Sequence, residues 1–260
     1  MRIRAKSTVT DIQGAGTGRR PGKGTLVLVL LALAILVSLG TWQVYRLQWK
    51  EALLADIDAR IHEEPVPVSE IESRIGQGQA IEYTPMQATG TFDHGRERHF
   101  LATYDGQPGF YVYTPLTLGD GKILFVNRGF VPDELKDPAK REDSQVAGTV
   151  TITGLARSRL DEKPSMMVPD NDPAKNMFFW KDLDAMASST ALPQAEVEPF
   201  FLDADDSPNP GPWPKGGVTQ IDLPNNHLSY AVTWYGLAIV LAVITILSYR
   251  RNRQNKDPER

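Results

Sequence analysis

The 260-residue chain contains no cysteine. That excludes disulfides, thiol catalysis, zinc–thiolate sites and copper delivery through a cysteine pair, and it leaves the redox compartment open. Catalytic signatures are missing too: there is no Gly-x-Ser-x-Gly, no His-Glu-x-x-His and no dinucleotide fingerprint behind a strand. The segment GAGTGRRPGKGT imitates a phosphate loop. However, Gly18 stands one residue too close to Gly22, Lys23 is followed by Gly24 rather than Ser or Thr, and no strand precedes it. A flexible basic tail is expected there instead. Histidine is scarce, with only four copies. His94 and His99, near Asp93 and Glu97, have a spacing that could serve a metal, but a solvated turn is the simpler expectation. The carboxylates show no pairing signal, so no catalytic residue is assigned and an enzyme is not expected.

Charge is missing from two long stretches. None lies between Lys23 and Arg46, and the run TLVLVLLALAILVSLGTW inside that interval is long enough to cross a hydrocarbon core, which takes about 20 residues. A cleaved signal peptide would need small residues after the apolar run, whereas Trp42, Gln43 and Tyr45 follow it. The second charge-free stretch runs from Leu223 to Tyr249. Trp42, Tyr45, Tyr230, Trp234, Tyr235 and Tyr249 sit near the ends of these runs, where amphipathic rings favour the interface of a lipid bilayer. The expected organisation is a basic tail at 1–24, a transmembrane helix at 25–46, an α+β domain at 47–224, a second transmembrane helix at 225–248 and a basic tail at 249–260.

Basic residues lie outside both spans: Arg2, Arg4, Lys6, Arg19, Arg20 and Lys23 before the first, and Arg250, Arg251, Arg253, Lys256 and Arg260 after the second. The positive-inside rule then puts both termini in the cytoplasm, or in an organelle's matrix, and the domain on the opposite, periplasmic or intermembrane, face. Between the tails acidic residues exceed basic ones by about twelve. A domain of that sign repels nucleic acid, so no nucleic-acid partner is expected.

After the first span, RLQWKEALLADIDARI is free of breakers and continues the helix. Trp42, Arg46, Trp49 and Lys50 share one helical face, which reads most simply as an interface anchor with snorkelling cations and otherwise as a collar for a ligand or partner. Beyond Pro65 and Pro67 the pattern turns to short strands: PMQATGTFD, ERHFLATY, GFYVYTPLTL, KILFVNRGFV, GTVTITGLAR, NMFFWKDL and EVEPFFLDA. Gly119-Asp120-Gly121 marks a hairpin turn between two of them. A short helix is expected around Asp182 to Ser189 with Asp182 as its cap, and SPNPGPWPKGG at 207–217 as a loop. The fold class is α+β: two transmembrane helices flanking one mainly antiparallel β domain, barrel-like or open, with a short helix.

His227 differs from the other histidines by position. It lies in PNNHLSYAVTWYG, where the second span begins, and a helix starting near Asn225 would align His227, Tyr230 and Trp234 on one face. Ionisable residues at membrane depth tend to be functional, and a neutral imidazole is a good haem-iron ligand. An interfacial histidine that meets water or headgroups is the plain alternative.

Five segments carry a family resemblance: LGTWQVYRLQWK at 39–50, GFYVYTPLTLGDGKILFVNRGFVP at 109–132, GTVTITGLAR at 148–157, NMFFWKDLDAM at 176–186 and NNHLSYAVTWYGLA at 225–238. In this order they resemble the surfeit locus protein 1 family of cytochrome c oxidase assembly factors, with Phe130 standing where many members have Trp. The resemblance implies an assembly factor that promotes insertion or stabilisation of haem A in oxidase subunit I. It maps the family's haem-binding histidine, the axial ligand of the haem iron, onto His227, with Tyr230 and Trp234 beside it. Trp42, Gln43 and Arg46 map onto the first-span motif, where Arg46 suits a haem propionate. Subunit I is the implied partner and haem A synthase a second one. A scaffold that holds oxidase subunits without haem is the alternative function. With no long Ser- and Arg-rich presequence, a bacterial plasma membrane is expected rather than a mitochondrial inner membrane.

Overall fold

The computed structural model describes residues 22–207, 210–219 and 225–254. The tails at 1–21 and 255–260, with most of the phosphate-loop imitation, lie outside them. The chain divides into two compact units, one made of the terminal segments up to Ala52 and from Pro224 onward, the other running from Leu53 to Leu223.

The helix α1 runs Lys23–Ile61 without a break, so the apolar run and the polar segment after it form one element. The short strand β1 (Val66–Pro67) and helix α2 (Val68–Gly76) follow. Then come β2 (Pro85–Phe92), β3 (Arg98–Tyr104), β4 (Gln107–Leu118), β5 (Ile123–Pro132) and β6 (Thr149–Ser158). Helix α3 (Leu183–Ser189), strand β7 (Val197–Ala204) and helix α4 (His227–Gln254) complete the order. Asp182 caps α3 as expected, its side chain accepting from the Ala185 amide at 2.9 Å.

The strands form a mixed sheet in the order β1-β2-β6-β7-β5-β4-β3, and a further pairing of β2 with β4 closes five of them, β2, β6, β7, β5 and β4, into a barrel. Most ladders are antiparallel, but β5–β7 and β1–β2 are parallel. The closing strand β4 serves two neighbours on one edge. Arg98–Tyr104 of β3 pair with its Gln107–Tyr113 part, and Phe92–Gly90 of β2 pair with Leu116–Leu118. Gly90 permits that closure, because a Cβ there would stand 2.3 Å from the Thr117 carbonyl oxygen. The Gly119-Asp120-Gly121 hairpin forms as expected, with the Leu118 amide bonded to the Lys122 carbonyl at 2.8 Å.

Alternation along β2 sends Met86, Ala88 and Phe92 inward, where they meet Leu116, Leu124, Val126, Phe200 and Leu202, with Ile71 of α2 packed against the same cluster. A second core lies where α3 covers the sheet, built from Tyr113, Phe125, Phe178, Leu183, Met186 and Phe201. Strand β5 is buried along its whole length because both of its faces are covered. That is why KILFVNRGFV reads as a continuous run rather than as an alternating one.

One expected strand is absent. NMFFWKDL makes two isolated bridges, Phe178 to Phe100 and Met177 to Asp172, and it meets β3 through the Leu101 amide on the Phe178 carbonyl and the Phe178 amide on the His99 carbonyl. A 3₁₀ turn at Pro173–Lys175 and a left-handed Asn176 (φ 50°) aim the chain across the sheet edge instead of along it. Its apolar character serves one anchor, the fully buried Phe178.

Candidate functional site

The α1 and α4 helices are each long and apolar enough to cross a membrane. Only 6% and 11% of their most apolar windows are buried. A core helix of a soluble protein would be largely covered, so these surfaces require an apolar surrounding.

Within the terminal unit the two helices meet through a narrow stripe. On α1 the contact runs through Gly40, Thr41 and Gln43, and on α4 through His227, Ala231, Tyr235 and Ala238, of which Ala231 and Ala238 are buried. A Cβ on Gly40 would lie 2.9 Å from the Tyr235 ring, so the absence of a side chain is what admits that ring. Beside it the Tyr235 hydroxyl and Thr41 Oγ1 share a hydrogen bond of 3.0 Å. Three residues further along α1, on the same face, Gln43 reaches the start of α4 and its Oε1 lies 2.7 Å from Nδ1 of His227. Gln43 is buried, at 8% exposure, although it belongs to an apolar helix. The His227 ring is half-buried, and its Nε2 makes no hydrogen bond among the described residues. The helix begins at His227 itself, where the Asn225 side chain and the His227 amide stand 3.5 Å apart.

The residues named from sequence fall on two surfaces. His227 lies at the helix contact. Trp234 is half-buried, on the helical face that His227, Ala231 and Ala238 share, and Tyr230 is 54% exposed. Trp42 is one position from Gln43, hence rotated by about 100° around the helix, and is 52% exposed. Arg46 is exposed with its guanidinium over the Trp49 ring, 4.4 Å from the centroid. Among the described residues neither Trp42 nor Arg46 makes a hydrogen bond or ring contact with His227. The structure thus brings Gln43 to the histidine and leaves Trp42, Arg46 and Tyr230 exposed. The Gly40-x-x-Gln43 spacing was the available signal: a small residue and a polar one, on one face of an otherwise apolar run.

The other histidines have structural partners. His99 is buried rather than solvated: its Nε2 meets Glu97 at 2.8 Å, and Glu97 also pairs with buried Arg141. Burial alone would raise the Glu97 carboxyl, but His99 and Arg141 outweigh it and hold Glu97 below its ordinary value. His94 bonds the Val146 carbonyl at 3.0 Å, and burial lowers its pKa. No group of three candidate metal ligands occurs among the described residues. The Val126-Asn127-Arg128-Gly129 segment is also structural. Asn127 bonds Asp203 across the β5–β7 pair at 3.0 Å, and Arg128 bonds the Ser144 carbonyl with its guanidinium over Phe92. Asp203, 4% exposed, further collects Arg157 at 3.2 Å and Thr219 at 3.0 Å, while burial lowers the nearby Lys181. Phe130 is fully buried among Tyr104, Tyr111 and Trp213.

Residues 30–239, which take in most of α1, the barrel and the first part of α4, match the model of the SURF1 family. Surfeit locus protein 1 of Rattus norvegicus is 35% identical over 86% of this chain and 75% of its own. The Homo sapiens protein of that name is 36% identical over 86% and 77%, and a SURF1-like protein of Monosiga brevicollis is 36% identical over 90% of each. With most of its length matched, from the first apolar helix through the barrel to the second, the chain belongs to the SURF1 family.

Proposed function

We propose that this protein is a membrane-anchored assembly factor for haem-A-containing cytochrome c oxidase, and that it holds haem A for delivery to, or stabilisation in, subunit I. Family membership supports the assembly role. The haem reading is carried by one observation: the His227 ring, at the first residue of an apolar helix, is held at Nδ1 by the neighbouring helix while Nε2 makes no hydrogen bond among the described residues.

The donor set fits the cargo. Haem presents an iron that takes an axial imidazole and an apolar macrocycle that prefers a low-dielectric edge. His227 would supply Nε2 to the iron. Tyr230 and Trp234, one and two turns along α4, would offer flat apolar surface. Trp42 and Arg46 are exposed, Arg46 over the Trp49 ring. They suit the outer rim of a bound macrocycle, where Arg46 would pair with a propionate, or the membrane interface. No group in this arrangement is positioned as a nucleophile or acid–base pair, which favours a carrier over a catalyst. The basic flanks Lys23, Arg250 and Arg251 favour both termini on the cytoplasmic or matrix side and the barrel domain on the opposite face; a bacterial plasma membrane, with the barrel periplasmic, is the location proposed. Haem A synthase, as the source of the cargo, is the natural second partner.

The test is the pigment of the detergent-purified full chain co-produced with the haem A pathway. Wild type should carry a haem absorbance band and His227→Ala should lose most of it, with oxidase haem content falling in a deletion strain. An unchanged band in His227→Ala would reject the ligand assignment. Normal association with oxidase subunits by a wild-type protein free of haem would favour a scaffold.

A further inference from the structure

We infer that Gln43 is a positioning residue that selects the tautomer of His227, so that Nε2 is the ring nitrogen offered to a metal. This rests on the haem-ligand reading above, but its first consequence can be read without haem.

A neutral imidazole has one protonated and one unprotonated nitrogen, and only the unprotonated one can ligate. Nδ1 of His227 is 2.7 Å from the side-chain oxygen of Gln43. An amide oxygen only accepts, so Nδ1 carries the hydrogen and Nε2 keeps its lone pair. The opposite amide orientation would donate to Nδ1, place the hydrogen on Nε2 and forbid ligation. One hydrogen bond therefore decides whether the site is competent. Gln43 is held for the task by its burial at 8% exposure, and the close approach that Gly40 permits at Tyr235 keeps the two helices within reach at this level.

The choice of an amide is also informative. Ligating histidines commonly give their second N–H to a carboxylate, which makes the imidazole more basic and strengthens its bond to the metal. A neutral amide orients the ring with little of that reinforcement. This suits a protein that must release its cargo, and it avoids an anion inside an apolar helix pair.

The experiment uses the full chain with ¹⁵N-labelled histidine rings in detergent micelles, at a pH where the rings are neutral, and His227→Ala assigns the signal. Wild type should show a protonated Nδ1 and an unprotonated Nε2. Gln43→Leu should lose that preference. Gln43→Glu, whose ionised carboxylate can only accept, should restore it. With haem A present, Gln43→Leu should lower haem affinity by about 10- to 100-fold, the usual loss when such an outer hydrogen bond is removed. Gln43→Glu should retain haem and move its midpoint potential to a lower value than in wild type, which a merely structural role would not do. A wild-type Nε2–H tautomer, or a Gln43→Leu protein with unchanged ring signals, overturns the inference even if haem is bound. A haem band that survives His227→Ala rejects the ligand reading instead and leaves the tautomer result standing.

Discussion

Gly40 and Gly236 make a matched pair of probes for the helix contact on which the site depends. Both are glycines in long apolar helices, so replacing either by Ala brings the same change in helix propensity, about 1 kcal/mol in aqueous scales. Their surroundings differ. A Cβ at Gly40 would meet three Tyr235 ring atoms at 2.9 to 3.1 Å, whereas at Gly236 nothing lies within 4 Å. Ordinary carbon contacts sit near 3.5 to 4.0 Å, so the Tyr235 ring or the helix must retreat by roughly half an ångström or more. Forced repacking of that size costs about 1–3 kcal/mol. The propensity change cancels between the two variants, so Gly40→Ala should be less stable than Gly236→Ala by that same 1–3 kcal/mol. The Thr41–Tyr235 hydrogen bond should be lost with it. Titrating the detergent-solubilised chain with sodium dodecyl sulfate, with tyrosine and tryptophan fluorescence as the signal, measures the difference. Equal midpoints for the two variants would refute the packing described here. So would a Gly40→Ala defect that replacement of Tyr235 by a smaller side chain fails to relieve.

Two further predictions concern the barrel. Glu198 is 3% exposed, and burial first, then the neighbouring Glu72, raises its pKa to about 7, while Lys122 at 3.1 Å opposes the shift. A carboxyl raised from 4.5 to about 7 stabilises the fold most below its unfolded value, and that contribution is lost as pH rises through 7. By the usual conversion it amounts to at most about 3 kcal/mol. Glu72 is lowered, so its own contribution fades only towards acid pH, below the window in which Glu198 titrates. Urea unfolding of the full chain from pH 5 to 8 should therefore show falling stability in wild type and a flatter profile in Glu198→Gln; parallel profiles would refute the assignment. Arg141→Met should cost about 3–5 kcal/mol by leaving the buried Glu97 carboxylate with His99 alone. Glu97→Gln in the same chain should recover much of that loss in the same unfolding assay, and no recovery would mean that the pair is not the cause.

The fold was legible wherever local pattern and tertiary role agreed. The two apolar helices, the alternating β2, the hairpin at Asp120 and the Asp182 cap each rest on interactions within a few residues or on a periodicity that burial enforces. Closure of the barrel was not legible, because it depends on β4 pairing with β3 along one half and β2 along the other, and on the bare edge of Gly90. A single sequence has no local mark for such a division. NMFFWKDL misled for the opposite reason. Its aromatic density comes from one anchor under α3, and a 3₁₀ turn with a left-handed asparagine keeps it from continuing as a strand. Helix α2 was missed because only Ile71 of its nine residues is buried, so its apolar signal is thin.

The site was half legible for a related reason. His227 stood out because a titratable ring in an apolar run is costly and therefore informative. Charge and aromatic character then drew attention to Trp42, which a step of one residue turns off the Gln43 face, and to Arg46, whose guanidinium lies over Trp49. Gln43, with neither, carries the contact that orients the ring. In an apolar helix pair a side chain's importance follows from which face it occupies, and a step of one residue moves it about 100° around the helix. The neighbours of Gln43 announce themselves at the interface, where solvation of rings and cations is cheap. A buried amide must instead repay its desolvation through a specific partner, and here that partner is His227. A polar residue three positions from a glycine, on the same face of a membrane-length helix, is thus a better pointer to a membrane-edge site than the aromatic collar around it. Replacing Trp42 by Leu should therefore leave the His227 tautomer unchanged while Gln43→Leu alters it. A Trp42→Leu chain with altered ring signals would show that the collar, and not the buried face, sets the site.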